Sequence, residues 1–224
     1  MQTLSANNTI PVIAIDGPSA SGKGSVAERV ANTLGYHYLD SGALYRIVAL
    51  ASQHNQIAWH DAKALGLFVP TLKITFSDSE VYLNGENVTD QIRSPAMSNG
   101  ASQVAVHPEV RDGLLKLQHS FRQAPGLVAE GRDMASVVFT DATLKIFLTA
   151  DVKERAHRRH QQLLNRNVAA DYEKILQDLQ ERDQRDRTRT SAPLVKTEGA
   201  ILLDTDNRNI DEAVAFVLSE YQKY

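Results

Sequence analysis

Short apolar runs recur along the chain, and segments with helical spacing separate them. The runs that predict buried strands cover residues 11–15, 36–40, 127–130, 144–149 and 200–204. After the first run, Val26, Val30 and Leu34 recur four residues apart, which is typical of a helix, and further helices are predicted over 43–53 and 210–221. Strands that alternate with helices favour an α/β fold, in which a parallel sheet forms the core and helices cover both faces. Ligands bind at the carboxyl ends of the strands in such a sheet.

The alternation of strands and helices is interrupted between the second and third predicted strands. Apolar and polar residues alternate over 72–76 and 81–83, and Asn84-Gly85 is a strong signal for a hairpin turn. This pattern predicts a small antiparallel insert at residues 61–100. The insert is either a decoration of the fold or a part that overhangs a second substrate, and the pattern alone leaves both interpretations open.

A glycine-rich turn joins the first strand to the first helix. It consists of Gly17, Pro18, Ser19, Ala20, Ser21, Gly22, Lys23, Gly24 and Ser25. Its glycines let the backbone curl so that successive N–H groups point inward, while Lys23 and the helix N-terminus add positive charge. The turn therefore predicts a nest for the phosphates of a nucleoside triphosphate. Since Gly24 stands where a metal-binding hydroxyl is usual, we expect Ser25 to reach a phosphate and Mg²⁺ to be held largely through water.

Residues 151–191 are charge-dense and have helical character. Eight of the fifteen arginines of the chain lie within 155–189, and Arg182, Asp186 and Arg189 share one helix face at spacings of four and three. A charge run of this kind is usually a solvated face with ion pairs. Arginine exceeds the nearby acidic residues here, which favours a clamp on transferring phosphoryl groups, with the solvated helix as the alternative.

Composition narrows the classes further. The chain has 224 residues, a net charge of −3 and no cysteine. This length suits one α/β domain with embellishments or at most two small domains, and the lack of cysteine excludes a disulfide framework, Cys-ligated zinc and thiol catalysis. The seven histidines show no convincing metal-site pattern. Residues 1–9 lack the pattern of a secretory signal, and no apolar stretch approaches the roughly 18 residues that span a bilayer. We expect a cytoplasmic protein with no membrane partner.

The motifs, taken together, resemble the bacterial-type cytidylate kinases, which are nucleoside monophosphate kinases with the P-loop kinase fold. The segments that carry the resemblance are Ile15-Asp16-Gly17-Pro18-Ser19, Gly22-Lys23-Gly24-Ser25, Leu39-Asp40-Ser41-Gly42-Ala43-Leu44-Tyr45-Arg46, Ala101-Ser102-Gln103-Val104-Ala105, Val110-Arg111, Glu130-Gly131-Arg132-Asp133-Met134, Val137-Val138-Phe139 and the run from Glu181 to Arg189. Many nucleotide-binding proteins share the phosphate loop, whereas the Asp-Ser-Gly-x-x-Tyr-Arg and Gly-Arg-Asp-Met segments are far more specific. Two departures are Glu130, where the family more often has aspartate, and Ser25, which replaces a more usual threonine.

This resemblance implies a single kinase domain over 1–224, expected to be monomeric, that transfers the γ-phosphoryl group of ATP to CMP or dCMP with Mg²⁺. It implies that the loop residues Gly17 to Ser25 bind ATP together with Arg158 and Arg159, that residues 155–167 form a short mobile lid, and that the insert at 61–100 binds the monophosphate. The residues implied at the acceptor are Arg46, Arg132 and Arg189 for its phosphate, Ser41, Ser102, Arg111 and Asp133 for cytosine, and Arg182 and Asp186 for the sugar. Lys23, Arg132 and Arg189 are the implied catalytic residues.

Elementary chemistry agrees with such a reaction. A phosphate monoester has a second pKa near 6, so at neutral pH the acceptor is already a nucleophile and needs no general base. Alignment and charge neutralisation must then lower the barrier, as in phosphoryl transfer generally.

Three other functions compete. A GTP-dependent switch needs an Asn-Lys-x-Asp motif and an Asp-x-x-Gly motif, and neither occurs in the sequence. A kinase for a hydroxyl metabolite, such as shikimate or dephospho-coenzyme A, would favour a carboxylate base, and Asp40 leaves that possibility open. A nucleic-acid module could use the arginine cluster, although the acidic balance and the 6% aromatic content argue against nucleic acid as a partner.

Overall fold

The computed structural model describes residues 10–77 and 80–224. The polar segment 1–9 and residues 78–79 of the predicted hairpin lie outside the described residues. The strands and helices are β1 (Val12–Asp16), α1 (Lys23–Leu34), β2 (His37–Asp40), α2 (Ser41–His54), α3 (Ala62–Phe68), β3 (Ile74–Ser77), β4 (Glu80–Leu83), β5 (Glu86–Asn87), α4 (Pro95–Val104), α5 (Pro108–Ser120), β6 (Leu127–Gly131), β7 (Leu144–Thr149), α6 (Val152–Leu164), α7 (Tyr172–Thr188), β8 (Ile201–Asp204) and α8 (Ile210–Tyr221).

The central sheet has five parallel strands in the order β2-β6-β1-β7-β8. The register pairs Asp16 with Gly131 and Asp40 with Glu130, so the carboxyl ends of β1, β2 and β6 lie side by side. This arrangement confirms the parallel sheet predicted from the apolar runs, and it gathers three of the motif segments at one edge.

Helices cover both faces of the sheet, as predicted. On one face Ala14 of β1 belongs to a buried cluster that includes Leu44 of α2 and residues of α4 and α5. On the other face Ile15 packs with Val26 of α1 and Val217 of α8. Side chains alternate between the two faces along β1, and each fully buried aliphatic side chain contributes about 1.5–3 kcal/mol to stability. The phosphate loop therefore starts from a strand that is fixed on both sides.

The insert contains the expected antiparallel sheet, in the order β3-β4-β5. Asn84 and Gly85 connect β4 to β5, both with positive φ (53° and 89°), which is the conformation that an Asn-Gly hairpin turn requires. Helices flank the hairpin: α3 begins at the cap Asp61, and α4 begins after the cap Ser94. α4 then packs extensively on α2, so this part of the chain reaches the body of the protein through a helix.

Local caps explain where the observed helices differ from the predicted bounds. α2 begins at Ser41, two residues before the predicted start at 43, because the Asp40 carboxylate accepts the Ala43 N–H at 2.9 Å. The charge-dense segment forms two helices, α6 and α7, and residues 165–171 separate them. A second cap, Asp171, accepts the N–H groups of Glu173 and Lys174 at the start of α7.

Candidate active site

The phosphate loop has a strained, closely packed backbone. A side chain at Gly17 would place its Cβ 2.0 Å from the carbonyl oxygen of Leu148, so only glycine fits there. Gly22 has φ +92°, and Ala20, although not glycine, also lies in the left-handed region at φ +58°. The Ser21 hydroxyl donates to the Pro18 carbonyl at 3.0 Å. The loop is thus shaped in advance for a nest of N–H groups at the start of α1.

Lys23 lies buried at the base of this loop. Its Nζ donates to the Pro18 carbonyl at 3.3 Å and lies 3.5 Å from a carboxylate oxygen of Glu130. Burial, followed by the positive charge of Arg132, lowers the pKa of Lys23 to about 8. Burial raises the pKa of Glu130. A phosphate at the loop would stabilise the ammonium form of Lys23 and so oppose the lowering of its pKa by burial and by Arg132.

The loop also contacts the end of β8 and the helix α6. The Thr205 hydroxyl donates to the carbonyls of Ser21 and Thr149, at 3.3 and 3.1 Å. Arg158 donates to the carbonyl of Thr205 at 2.6 Å and lies beside the loop. Arg159 bonds instead to Gln162, at 2.7 Å, on the exposed side of α6. Both arginines line the same cleft as the loop.

Facing the loop, guanidinium groups are held by carboxylates. Arg46 donates to Asp40 at 2.6 Å, and Arg132 donates to Asp186 at 2.8 Å. Arg182 lies 4.0 Å from the same Asp186 carboxylate. Burial, with the neighbouring charge of Arg132, lowers the pKa of Arg182 to about 10. The cluster carries more positive charge than these two carboxylates neutralise.

Several donors in this cluster have no hydrogen-bond partner within the described part of the chain. They are Nε of Arg46, Nε of Arg182 and Nη2 of Arg189, all of them buried. Unpaired buried donors are costly, and native proteins rarely keep them unless a ligand completes the set. Arg46 and Arg182 belong to the cleft lining, so their unpaired nitrogens favour an anion in this part of the cleft, while Arg189 lies outside the lining.

A second, more buried cluster lies behind Arg132. Arg111 bonds to Asp133 and, at 3.2 Å, to the carbonyl of Ala105, and its guanidinium lies over the ring of Tyr45. Ser102 accepts from Arg185 Nε at 3.3 Å. These buried groups include a guanidinium, a carboxylate and a hydroxyl, which is the kind of donor and acceptor set needed to recognise the edge of a base.

One cleft of about 1160 Å³ brings the two sides together. The loop residues from Ser19 to Ser25 form one wall, while Asp40, Arg46, Arg132 and Arg182 belong to the other. Ser41, Ser102, Arg111, Asp133, Asp186 and Arg189 are not in the cleft lining and lie deeper or beside it. The structure thus brings part of the sequence-predicted set, the loop with Asp40, Arg46, Arg132 and Arg182, together in one cleft.

Three contacts at this edge had no signal in the sequence. Arg155, which falls in the segment expected to be a mobile lid, is only 3% exposed and forms two hydrogen bonds with Asp183, at 3.2 and 2.6 Å. It also donates to the carbonyl of Ser19 in the loop. Thr205 and Asp16 were likewise not assigned a role. Asp16 bonds to residues 118 and 119 positions away, and Thr205 bonds to Thr149 and Ser21, 56 and 184 positions away, so no local pattern could reveal these contacts.

No helix in the described part of the chain is long and apolar enough to cross a membrane. Within those residues, no three His, Cys, Asp or Glu side chains are grouped so that they could hold a metal ion by themselves.

Comparison with known proteins agrees with the geometry. A family model described as cytidylate kinase matches residues 13–223. A cytidylate kinase from Polynucleobacter necessarius subsp. necessarius (strain STIR1) is 58% identical over 211 residues, which are 94% of this chain and 98% of that protein. A cytidylate kinase from Cupriavidus necator is 54% identical, covering 93% of this chain and 94% of that protein.

Among solved structures, an uncharacterized protein from Eubacterium ventriosum ATCC 27560 aligns with a TM-score of 0.51 at 13% identity, covering 96% of this chain and 99% of that chain, which indicates a shared fold and nothing more. The family model and the two relatives extend over almost all of this chain and include the loop, the insert and the arginine cluster. The chain belongs to the cytidylate kinase family.

Proposed function

We propose that this protein transfers the γ-phosphoryl group of ATP to CMP or dCMP, giving ADP and CDP or dCDP. The observation that carries the proposal is the single cleft in which the phosphate loop faces a cluster of incompletely paired arginines. Two polyanions can be held there close to one another, because each wall carries its own positive charge.

The donor side of the reaction uses the loop. Residues Gly17 to Ser25 bind the triphosphate through backbone N–H groups. The ammonium of Lys23 stabilises the negative charge that develops on the phosphoryl group during transfer. Arg158 and Arg159 line the cleft beyond the loop and are placed to contact the donor nucleotide. Since Lys23 already contacts Glu130, the triphosphate competes with that carboxylate for the ammonium.

The proposed acceptor phosphate lies among Arg46, Arg132 and Arg189. Two of these guanidinium groups keep an unpaired buried nitrogen, and Arg132 is oriented by its bond to Asp186. An ionised phosphate oxygen of CMP attacks the γ-phosphorus of ATP, the bond to the bridging oxygen breaks, and ADP leaves with that electron pair. No proton needs to be removed first, because the acceptor is already ionised at neutral pH.

Cytosine is recognised by the deeper cluster. Asp133 accepts from the exocyclic amino group, Arg111 donates to the ring nitrogen or carbonyl, and Ser41 and Ser102 complete the pocket. Arg182 and Asp186 contact the sugar. The close pair of Arg111 and Asp133 fits this proposal, since each side chain holds the other in position while part of its hydrogen-bonding capacity remains for the base.

The carboxylates at this edge of the sheet would suit a Mg²⁺ ion whose ligands are mainly phosphate oxygens and water. Oxygen ligands suit it, and Asp40 and Glu130 are adjacent in the sheet next to Lys23. Both carboxylates are also paired with cations, so we expect them to orient metal-bound water and the ATP phosphates to supply most ligands. When bound, the ion neutralises charge on the phosphates.

A kinase with a hydroxyl acceptor is disfavoured by the position of Asp40. Its carboxylate accepts from Arg46 at 2.6 Å and from the Ala43 N–H at 2.9 Å, so both oxygens are occupied and a bound guanidinium opposes proton uptake. The structure thus offers a poor general base where that rival needs one.

An ADP-release assay over a panel of acceptors tests the proposal. With ATP and Mg²⁺, CMP and dCMP should both support turnover, while shikimate and dephospho-coenzyme A should give background rates. Turnover with a hydroxyl acceptor alone would contradict the proposed function. A monomeric state, a lid at 155–167, a monophosphate-binding role for 61–100 and a cytoplasmic location remain predictions.

A further inference from the structure

The end of β1 makes contacts on both sides of the Arg132-Asp133 pair. Before the pair, the Gly17 N–H donates to the Gly131 carbonyl at 3.3 Å. After it, the Asp16 carboxylate accepts the N–H groups of Met134 and Ala135, both at 2.8 Å and each with a different oxygen. Two adjacent residues of the phosphate-loop strand therefore fix the backbone at either end of the segment that carries Arg132 and Asp133.

The segment held by Asp16 is unusual. Met134–Val138 forms a single π-helical turn, a rare element that is found frequently at functional sites. Its first N–H groups have no partner within the turn, and Asp16 supplies acceptors for two of them. Asp16 is 3% exposed, so water does not replace these bonds.

Opposing influences act on the pKa of the Asp16 carboxyl group. Burial raises the pKa of Asp16 to about 7, the nearby Asp133 carboxylate adds to the rise, and the two backbone donors and Arg132 oppose it. A buried carboxylate that depends on two N–H groups is costly to keep unless it has a task. Phosphoryl transfer requires no carboxylate at this position. Asp16 precedes the loop in the chain, and its oxygens accept the backbone N–H groups of Met134 and Ala135.

We propose that Asp16 is a positioning residue, which sets the place of Arg132 and Asp133 relative to the phosphate loop and so couples acceptor recognition to the donor site. The roles of Arg132 and Asp133 rest on the proposed function. Asp16 itself touches neither substrate. Its effect passes through the backbone of residues 131–135.

Asp16→Asn is the direct test, because it keeps the shape while turning one acceptor oxygen into a donor that faces a backbone N–H. We expect KM for CMP to rise at least about tenfold, KM for ATP to change less than about twofold, and the preference for CMP over UMP to shrink, because one backbone donor then faces an amide instead of a carboxylate oxygen and is left unpaired. A general loss of folding would instead lower the apparent kcat through a smaller active fraction and leave both KM values unchanged.

Asp171→Asn is the matched control. That carboxylate also accepts two backbone N–H groups at a helix start, at 2.9 and 3.3 Å, but it is exposed and is not one of the residues that line the cleft. Asparagine caps a helix about as well as aspartate, so this variant should keep wild-type kinetics. If Asp16→Asn cannot be isolated folded, Asp16→Ser, which keeps one hydroxyl acceptor in a smaller side chain, is judged by the same criteria.

Hydrogen exchange in the absence of nucleotides separates this inference from the proposed function. Amides of Met134 and Ala135 should exchange at least about tenfold faster in Asp16→Asn than in wild type, while those of α8 keep their rates. Unchanged exchange at 134 and 135, or equal rises of both KM values, would overturn the positioning role. If wild type fails to use CMP while exchange responds as expected, the positioning of residues 131–135 stands and the proposed function fails.

Discussion

The phosphate loop and the arginine cluster face each other across one cleft, but they are held in place in different ways. The loop has short contacts of its own, because those of Ser21 and Lys23 with Pro18 span at most five residues, and contacts from Thr205 and Arg155 reach only its backbone carbonyls. The arginines depend on carboxylates from other elements, as Arg132 does on Asp186, 54 positions away. The loop is a local structure with one essential charge, whereas the cluster is a network in which the effects of mutations should not add.

Lys23→Ala should have the largest effect, because it removes the single full charge of the loop. We expect kcat to fall by ~10²–10³-fold, the usual loss when one donor to the developing charge is removed. The melting temperature should change little, since Glu130 is left without a cation but can take up a proton more easily in its buried position. Steady-state kinetics and thermal unfolding measure both. Lys116→Ala, on the exposed side of α5, is the control, and a Lys23→Ala enzyme with near-normal kcat would remove the loop from catalysis.

Arg132→Gln tests the network side of the comparison. Losing a charged hydrogen bond to the acceptor should raise KM for CMP by about 10–100-fold, with KM for ATP much less affected. Asp186 also loses its bonded cation, so a lower melting temperature is expected, in contrast to Lys23→Ala.

Arg93→Gln, at an exposed position in the insert, provides the matched control for that change. An equal rise of both KM values would show that Arg132 does not distinguish acceptor from donor. An unchanged melting temperature would count against the network description.

Base selectivity is a smaller effect that depends on the deeper cluster. Wild type should prefer CMP to UMP by at least about tenfold in kcat/KM, because uracil would oppose a carbonyl oxygen to the Asp133 carboxylate. Asp133→Asn can donate to that carbonyl, so the ratio should shrink, while Arg111 keeps a polar neighbour. Asp112→Asn, exposed on α5, should keep the wild-type ratio. If the ratio stays the same in folded Asp133→Asn protein, Asp133 does not recognise the base.

The smallest effect is a pH dependence that arises from Lys23 of the loop. Lys23 has its pKa lowered to about 8, and only the ammonium form attracts phosphate, so kcat/KM for ATP should fall as pH rises above about 8. Bound triphosphate favours the charged form, so the corresponding fall in kcat should appear at higher pH. Rate profiles between pH 6 and about 10 compare the two. Coincident falls would mean that Lys23 does not contact the phosphates.

The contrast between short-range contacts in the loop and long-range pairs in the arginine cluster also explains which features could be predicted from the sequence. The glycine-rich turn between β1 and α1 and the parallel sheet were predicted correctly because their signals are local: spacing of glycines, helical spacing of apolar residues, and apolar runs of strand length. The family relationship was visible for the same reason. The division of 151–191 into two helices was not predicted, since both parts have similar charge density and the break at 165–171 lacks proline and glycine.

Long-range pairs were beyond the reach of sequence pattern. The bond of Arg155 to Asp183 joins two helices and the loop, but each residue alone looks like part of a solvated charge run. The same holds for Asp16, whose carboxylate could be read as a turn residue before Gly17. The roles of the individual arginines at the acceptor remain predictions, which the variants above are designed to test.

The order of the strands has a consequence for how the protein is made. β1 lies between β6 and β7, and β2 pairs with β6, so in the described sheet neither of the first two strands has a neighbour from the amino-terminal half. During synthesis, the strand that leads into the phosphate loop must wait until residue 127 and those after it emerge before it can pair. Nascent chains shorter than that would expose apolar segments such as Val12–Asp16, and these are the segments that chaperones protect from aggregation.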